Sequence, residues 1–91
     1  TAIKLFNEVE NIVAIKEATG KIENVVALCA KSDISVISGD DAINYPIMAT
    51  GGGGCISVTS NLLPKRIADL IHSALKGDFD TSRAINEELY D

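Results

Sequence analysis

The chain has 91 residues, 46% of them apolar, with a formal net charge of −5 and two cysteines. That length holds one small domain or a part of a larger one, and the acidic balance excludes an electrostatic footprint for nucleic acid. No apolar run approaches the ~18 residues of a membrane span and no secretory leader pattern opens the chain, so a cytoplasmic protein without membrane contact is expected.

The chain opens on Thr1, not Met, and runs directly into an amphipathic stretch, Ile3-Lys4-Leu5-Phe6-Asn7-Glu8-Val9. This reads as the tail of a helix whose beginning is missing, hence as a segment of a longer protein. A first strand is expected from about Ile12 to Lys16. Gly20 punctuates it, and Ile22, Val25, Val26 and Cys29 then recur at helical spacing. The second strand is Ile34 to Ser38, closed by Gly39-Asp40-Asp41. A short helix is expected around Ala42 to Ala49, capped by Asp40 or Asp41, with Tyr45-Pro46 in its first turn.

Gly51 to Gly54 break the chain before a third strand, Cys55 to Thr59. Ser60 and Asn61 offer caps and Pro64 a first-turn position for the helix that follows. Ile67, Leu70, Ile71, Ala74 and Leu75 line one face of that helix, and Gly77 ends it. Asp80 is expected to cap a last helix held by Ile85 and Leu89. The order β-α-β-α-β-α-α, with a helix in each crossover, implies parallel strands with right-handed connections. Periodicity alone leaves open a doubly wound sheet and a part of an eight-stranded barrel. In both, Lys16-Glu17, Gly39-Asp40-Asp41 and Thr59-Ser60-Asn61 gather at the carboxyl edge, where active sites sit.

Lys16 is the most informative residue of that edge. It ends the apolar run Ile12-Val13-Ala14-Ile15, the pattern of a strand buried on both faces. An ammonium in such a place is paired, neutralised or used, and a desolvated lysine becomes an amine nucleophile able to form a Schiff base. The plain alternative is a lysine that leaves the strand end for water. Glu17, one residue on, should point to the opposite face by strand alternation.

The other motifs favour structural readings. The glycine run precedes a strand, whereas phosphate-cradling loops follow one and open a helix, so it reads as a turn that permits close packing. Asp40-Asp41 without a third ligand is weak support for a metal, and no metal site is assigned. His72, Lys65-Arg66 and Glu87-Glu88 read as helix faces. Cys29 and Cys55 lack metal or redox spacing and read as buried small hydrophobes in a reducing compartment.

Three linked segments carry a resemblance. Ile15-Lys16-Glu17-Ala18-Thr19-Gly20, Ser38-Gly39-Asp40-Asp41-Ala42 and Gly51 through Asn61 stand in the order and spacing of the pyruvate-dependent class I aldolases, the family of dihydrodipicolinate synthases and N-acetylneuraminate lyases. The wording of these segments resembles the synthase branch more than the lyase branch. The resemblance spans essentially the whole chain.

It implies an α/β fold, a segment of a (β/α)8 TIM barrel with strands six to eight and their helices. Residues 1–77 would then be the C-terminal part of the barrel and 78–91 the first helix of a C-terminal helical extension. It also implies that Lys16 forms the imine with pyruvate, that the Ile56 carbonyl faces the bound pyruvate, and that Gly39 and Asp40 line the pocket. No cofactor is implied beyond the covalent imine at Lys16. The aldehyde partner would be L-aspartate 4-semialdehyde, as in lysine and diaminopimelate biosynthesis, and the full-length protein a homotetramer.

The family's tyrosine relay, its threonine partner and its substrate-binding arginine are not in this chain. The missing N-terminal part of the barrel is therefore an expected partner, and the 91-residue chain alone is expected to be inactive. Gly53 and Cys55 depart from the commoner basic residue and valine at those places. A keto-sugar-acid aldolase of the same family is the alternative, and a non-catalytic anion-binding α/β module a more distant one.

Overall fold

Period-two alternation in short strands and period-3.6 alternation in the intervening segments produce a three-stranded parallel sheet with helices packed on one side. The computed structural model describes residues 1–90. In chain order the elements are α1 (Ala2–Glu8), β1 (Ala14–Glu17), α2 (Ile22–Lys31), β2 (Ser35–Ser38) and α3 (Asn44–Thr50). They continue with β3 (Gly54–Cys55), α4 (Pro64–Leu75) and α5 (Phe79–Leu89). Single 3-10 turns cover Asp41–Ile43 and Thr59–Asn61. The strands lie in sequence order, β1-β2-β3, with Lys16 opposite Ile37, Glu17 opposite Ser38 and Ser38 opposite Cys55.

The core divides around α3. Val25, Leu28, Ile34, Val36 and Ile47 form one cluster, against which Ala2, Ile3 and Phe6 of α1 and Ile15 of β1 pack. Met48, Leu70, Ile71, Ala74 and Ile85 form the other, with Tyr45, Cys55 and Leu89 against it. Adjacent residues of α3, Ile47 and Met48, thus enter different clusters, and α3 is the wedge that joins them. Leu70 on α4 is 1% exposed, and the Ser82 hydroxyl of α5 donates to its carbonyl at 2.9 Å, fixing α5 on α4.

Several boundaries differ from the sequence expectation for identifiable reasons. β1 starts at Ala14 instead of Ile12, because the Ile12 amide donates back to the Val9 carbonyl in the turn after α1. The third strand, expected over Cys55 to Thr59, is only Gly54–Cys55. The Ile56 amide still donates to Ser38, but the Val58 and Thr59 amides both donate to the Asp41 carboxylate, and that ends the pairing. Ser60 does not cap α4: its hydroxyl donates to the Ser57 carbonyl, and Asn61 stays within the 3-10 turn. Pro64 does occupy the first turn of α4.

The cap of α5 is Asp78, not Asp80. Its carboxylate accepts from the Thr81 amide at 3.2 Å and the Thr81 hydroxyl at 2.7 Å, bonds that hold its pKa below the usual value. Asp80 lies inside the first turn, where a negative charge suits the helix dipole. Arg66 and Glu88 are less independent than solvated faces would be: they join α4 to α5 at 2.7 Å. Cys29 and Cys55 are free thiols and half-buried, not fully enclosed.

In the glycine run, only Gly51 needs positive φ, at 124°, as the residue that ends α3. At Gly52 a Cβ would stand 2.6 Å from the Ile47 Cγ2, so close packing excludes a side chain there.

Candidate functional site

Alternation along β1 assigns the two residues at its end to opposite faces. Glu17 is buried at 6% exposure on the helical side, whereas Lys16 is exposed on the face that carries no helices. The Glu17 carboxylate accepts from both the amide and the hydroxyl of Thr19. The Thr19 hydroxyl oxygen in turn accepts from the Lys21 amide and the Asn24 side chain, each at 3.2 Å. These bonds clip the β1–α2 turn, in which Gly20 has φ of 76°, and so fix the strand end that presents Lys16.

Gly39 lies directly beside the lysine. Its amide donates to the Glu17 carbonyl at 2.8 Å, extending the β1–β2 ladder by one residue. A Cβ on Gly39 would stand 2.7 Å from Lys16 Cε and 3.1 Å from Cγ, so the lysine stem crosses the space that glycine leaves empty. This is a close approach that any other residue would block.

Asp40 caps the first 3-10 turn by accepting from the Ala42 amide at 3.1 Å. Its other oxygen is 3.3 Å from where a Gly20 Cβ would stand, which brings the β2–α3 and β1–α2 loops together. Ile56 follows β3 and is 57% exposed; its amide donates to Ser38 at 2.8 Å, which seats it beside the β2 end. The carboxyl edge thus carries Lys16, Gly39 and Asp40, where the strand order puts them, and also Ile56, which the sequence pattern held inside a longer third strand.

Two features of the edge were not anticipated. Lys16 is exposed, where the sequence led us to expect desolvation, because helices cover only one side of the three strands. A polar chain, buried at Ser38 and Asn44, also runs beneath the loops. Ser38 and Asn44, 0% and 1% exposed, share a 2.6 Å hydrogen bond, and Asn44 donates to Asp41 at 2.9 Å. Asp41 then accepts from the amides of Val58 and Thr59, both at 2.9 Å. Burial works against the Asp41 charge, but hydrogen bonds from Ser57, Thr59 and Asn44 outweigh it and lower the pKa. The available signal was Asn44 itself, an amide at the head of an otherwise apolar helix, which must find partners once buried.

A cavity of about 590 Å³ lies between α4 and α5 among Arg66, His72, Lys76, Asp78 and Glu88, none of them at the strand edge. Among the described residues, no group of three or more His, Cys, Asp or Glu side chains is placed to hold a metal ion.

Parallel strands in sequence order with helices on one face are those of a segment of a (β/α)8 barrel, here with a lysine at one strand's carboxyl end. More particularly, the chain belongs to the dihydrodipicolinate synthetase family, whose model matches residues 1–91. The 4-hydroxy-tetrahydrodipicolinate synthase of a Nitratiruptor species is 60% identical over 92 residues, covering 100% of this chain and 31% of that protein. The corresponding synthase of a Sulfurovum species is 59% identical over the same shares. Among solved structures, dihydrodipicolinate synthase from Aquifex aeolicus superposes with a TM-score of 0.92 at 42% identity, over 98% of this chain and 31% of that one. The chain therefore spans a little under a third of the length of the relatives it matches.

Proposed function

We propose that this chain supplies the imine-forming part of a 4-hydroxy-tetrahydrodipicolinate synthase, which condenses pyruvate with L-aspartate 4-semialdehyde. The observation that carries this reading is the Lys16 stem lying across the side-chain-free space at Gly39, at the carboxyl end of a parallel strand. Family membership and the names of the close relatives support the choice of substrates.

In the proposed reaction the Lys16 amine adds to the ketone carbon of pyruvate and water leaves, giving the protonated imine. The imine draws electrons from the neighbouring methyl group; loss of a methyl proton gives the enamine. Its carbon attacks the aldehyde of the second substrate, whose oxygen takes up a proton. The amino group of that substrate then adds to the imine carbon, closing the ring and releasing Lys16 as the free amine. The Ile56 carbonyl faces the bound pyruvate, and Gly39 and Asp40 line the pocket.

The same resemblance supports residues 1–77 as the C-terminal part of the barrel and 78–91 as the first helix of an extension, of which 78–90 are described. It also supports a cytoplasmic homotetramer as the assembled state.

The test is borohydride trapping with pyruvate on a protein of the relatives' full length that carries this segment. A single pyruvate-derived adduct is expected on Lys16, and Lys16→Ala should lower turnover by at least roughly 10⁴-fold. An adduct on another residue, or none, would refute the assignment. Preference for a sugar aldehyde over L-aspartate 4-semialdehyde would refute the substrate alone.

A further inference from the structure

The polar chain Ser38–Asn44–Asp41, buried at its first two members, bears on the chemistry at Lys16 although it lies far from it in sequence. Ser38 ends β2, directly before Gly39, and its carbonyl receives the Ile56 amide. Asp41 receives the amides of Val58 and Thr59, two and three residues beyond Ile56. Ile56 is therefore held from both sides by one polar assembly, which also fixes the glycine against which Lys16 lies. The loop from Ile56 to Asn61 is otherwise bonded within itself, by Ser57 with Ser60 and by the Asn61 amide on Val58, so beyond Ile56 it is Asp41 that ties it back to the β2 side. β3 is two residues long, and Val58 is 79% exposed.

We infer that Asp41 is a positioning residue for the proposed reaction: by gripping the Val58 and Thr59 amides, it sets the Ile56 carbonyl at the height of the ketoacid bound on Lys16. This rests on the function proposed above. The carboxylate is suited to the task because one oxygen accepts both amides while the other accepts from Asn44. An asparagine at this place has the same shape but only one accepting atom. Its amide nitrogen would face either the two loop amides or the Asn44 amide, donor against donor. Turning Asn44 over to relieve this would give up the 2.6 Å bond its oxygen accepts from Ser38, whose proton would pass to the Asp40 carbonyl 3.2 Å away. The loop amides would still lose their charged acceptor. A misplaced carbonyl weakens the binding and orientation of the ketoacid without removing the nucleophile.

The experiment compares wild type, Asp41→Asn and Asp41→Ala in the full-length protein, with Asp78→Asn as a substitution remote from the edge. The readouts are the pyruvate dependence of trapping at Lys16, steady-state KM for pyruvate and kcat, and amide hydrogen exchange at residues 56–61. Asp41→Asn should raise KM for pyruvate about tenfold, the scale of one lost charge-assisted hydrogen bond. Trapping at saturating pyruvate should persist, and exchange should quicken in the 56–61 loop while β1 and β2 stay protected. Asp78→Asn should lower thermal stability without moving KM. Should Asp41→Ala fail to fold, the isosteric Asp41→Asn carries the test.

A folded Asp41→Asn protein with unchanged pyruvate KM and unchanged loop exchange would overturn the inference. So would a general loss of protection that Asp78→Asn reproduces. Absence of a Lys16 adduct in wild type would instead overturn the proposed function, so the two failures are told apart.

Discussion

The two faces of the three-stranded sheet come from the same few residues and behave differently. On the helical side Val36 and Ser38 are fully buried and Glu17 nearly so. On the opposite side Lys16 and Ser35 are exposed, and Ile56 beyond β3 is 57% exposed. The first strand's apolar run is the signature of burial on both faces, yet only one face is covered here. The difference separates two kinds of residue. Those on the helical side hold the strands in place, whereas those on the open side are free to carry chemistry and acquire their environment only when that face is enclosed.

The largest expected effect follows directly. The 91-residue chain alone should show no detectable turnover, because a closed barrel needs roughly 250 residues and Lys16 is here open to water. Incubating the isolated chain with pyruvate and borohydride should give no stoichiometric adduct, while the full-length protein does. Turnover by the isolated chain would show that the open face is sufficient for catalysis and would break the comparison.

Gly39→Ala comes next, since it alters the open face without touching the core. The new Cβ would collide with Lys16 Cε, the far end of a flexible side chain, which can swing aside. The expected result is imine formation slowed by about 10² from misplacement of the amine. Thermal stability should change little. A large stability loss with an unchanged trapping rate would mean that Gly39 serves the backbone, not the lysine.

The helical side should answer in the opposite way. Leu70→Ala empties a site that is 1% exposed and should cost about 2–5 kcal/mol. Ser35→Ala removes only one hydroxyl from the open face and should cost at most about 1.5 kcal/mol, the scale of a single hydrogen bond. Denaturant unfolding of the full-length variants measures both, and similar costs for the two would erase the distinction between the faces.

Much of this arrangement is legible in the chain because local rules and tertiary structure agree. The Ile22–Lys31 helix, the Gly77 stop and the Pro64 start follow from periodicity and backbone chemistry. That Lys16, Gly39 and Asp40 share one edge follows from parallel strands ending together, whereas Ile56 reaches it because the third strand stops at Cys55. What was not legible depends on partners distant in sequence. The third strand stops early because Asp41, 17 residues before Val58, captures its amides. Asp78 displaces Asp80 as cap because helix entry is set by where the chain leaves Gly77, which composition does not encode. The space at Gly39 is likewise invisible until β1 and β2 are aligned.

The smallest expected effect concerns pH and links the two faces through Asp41. Its folded pKa is lowered, so ionised Asp41 stabilises the fold above the unfolded value of about 3.9. That contribution is lost as pH falls through the folded value. Cys55 of β3 feels the same Asp41 charge, although burial is the larger cause of its raised pKa. Stability measured from pH 6 downward should therefore show wild type ahead of Asp41→Asn near neutrality, with the gap closing below about pH 4. Other carboxylates, Asp78 among them, titrate in both proteins and cancel in the difference. A gap that stays constant down to pH 2 would mean that Asp41 contributes through its shape and not its charge, and the grip on Val58 and Thr59 would then need no ionised carboxylate.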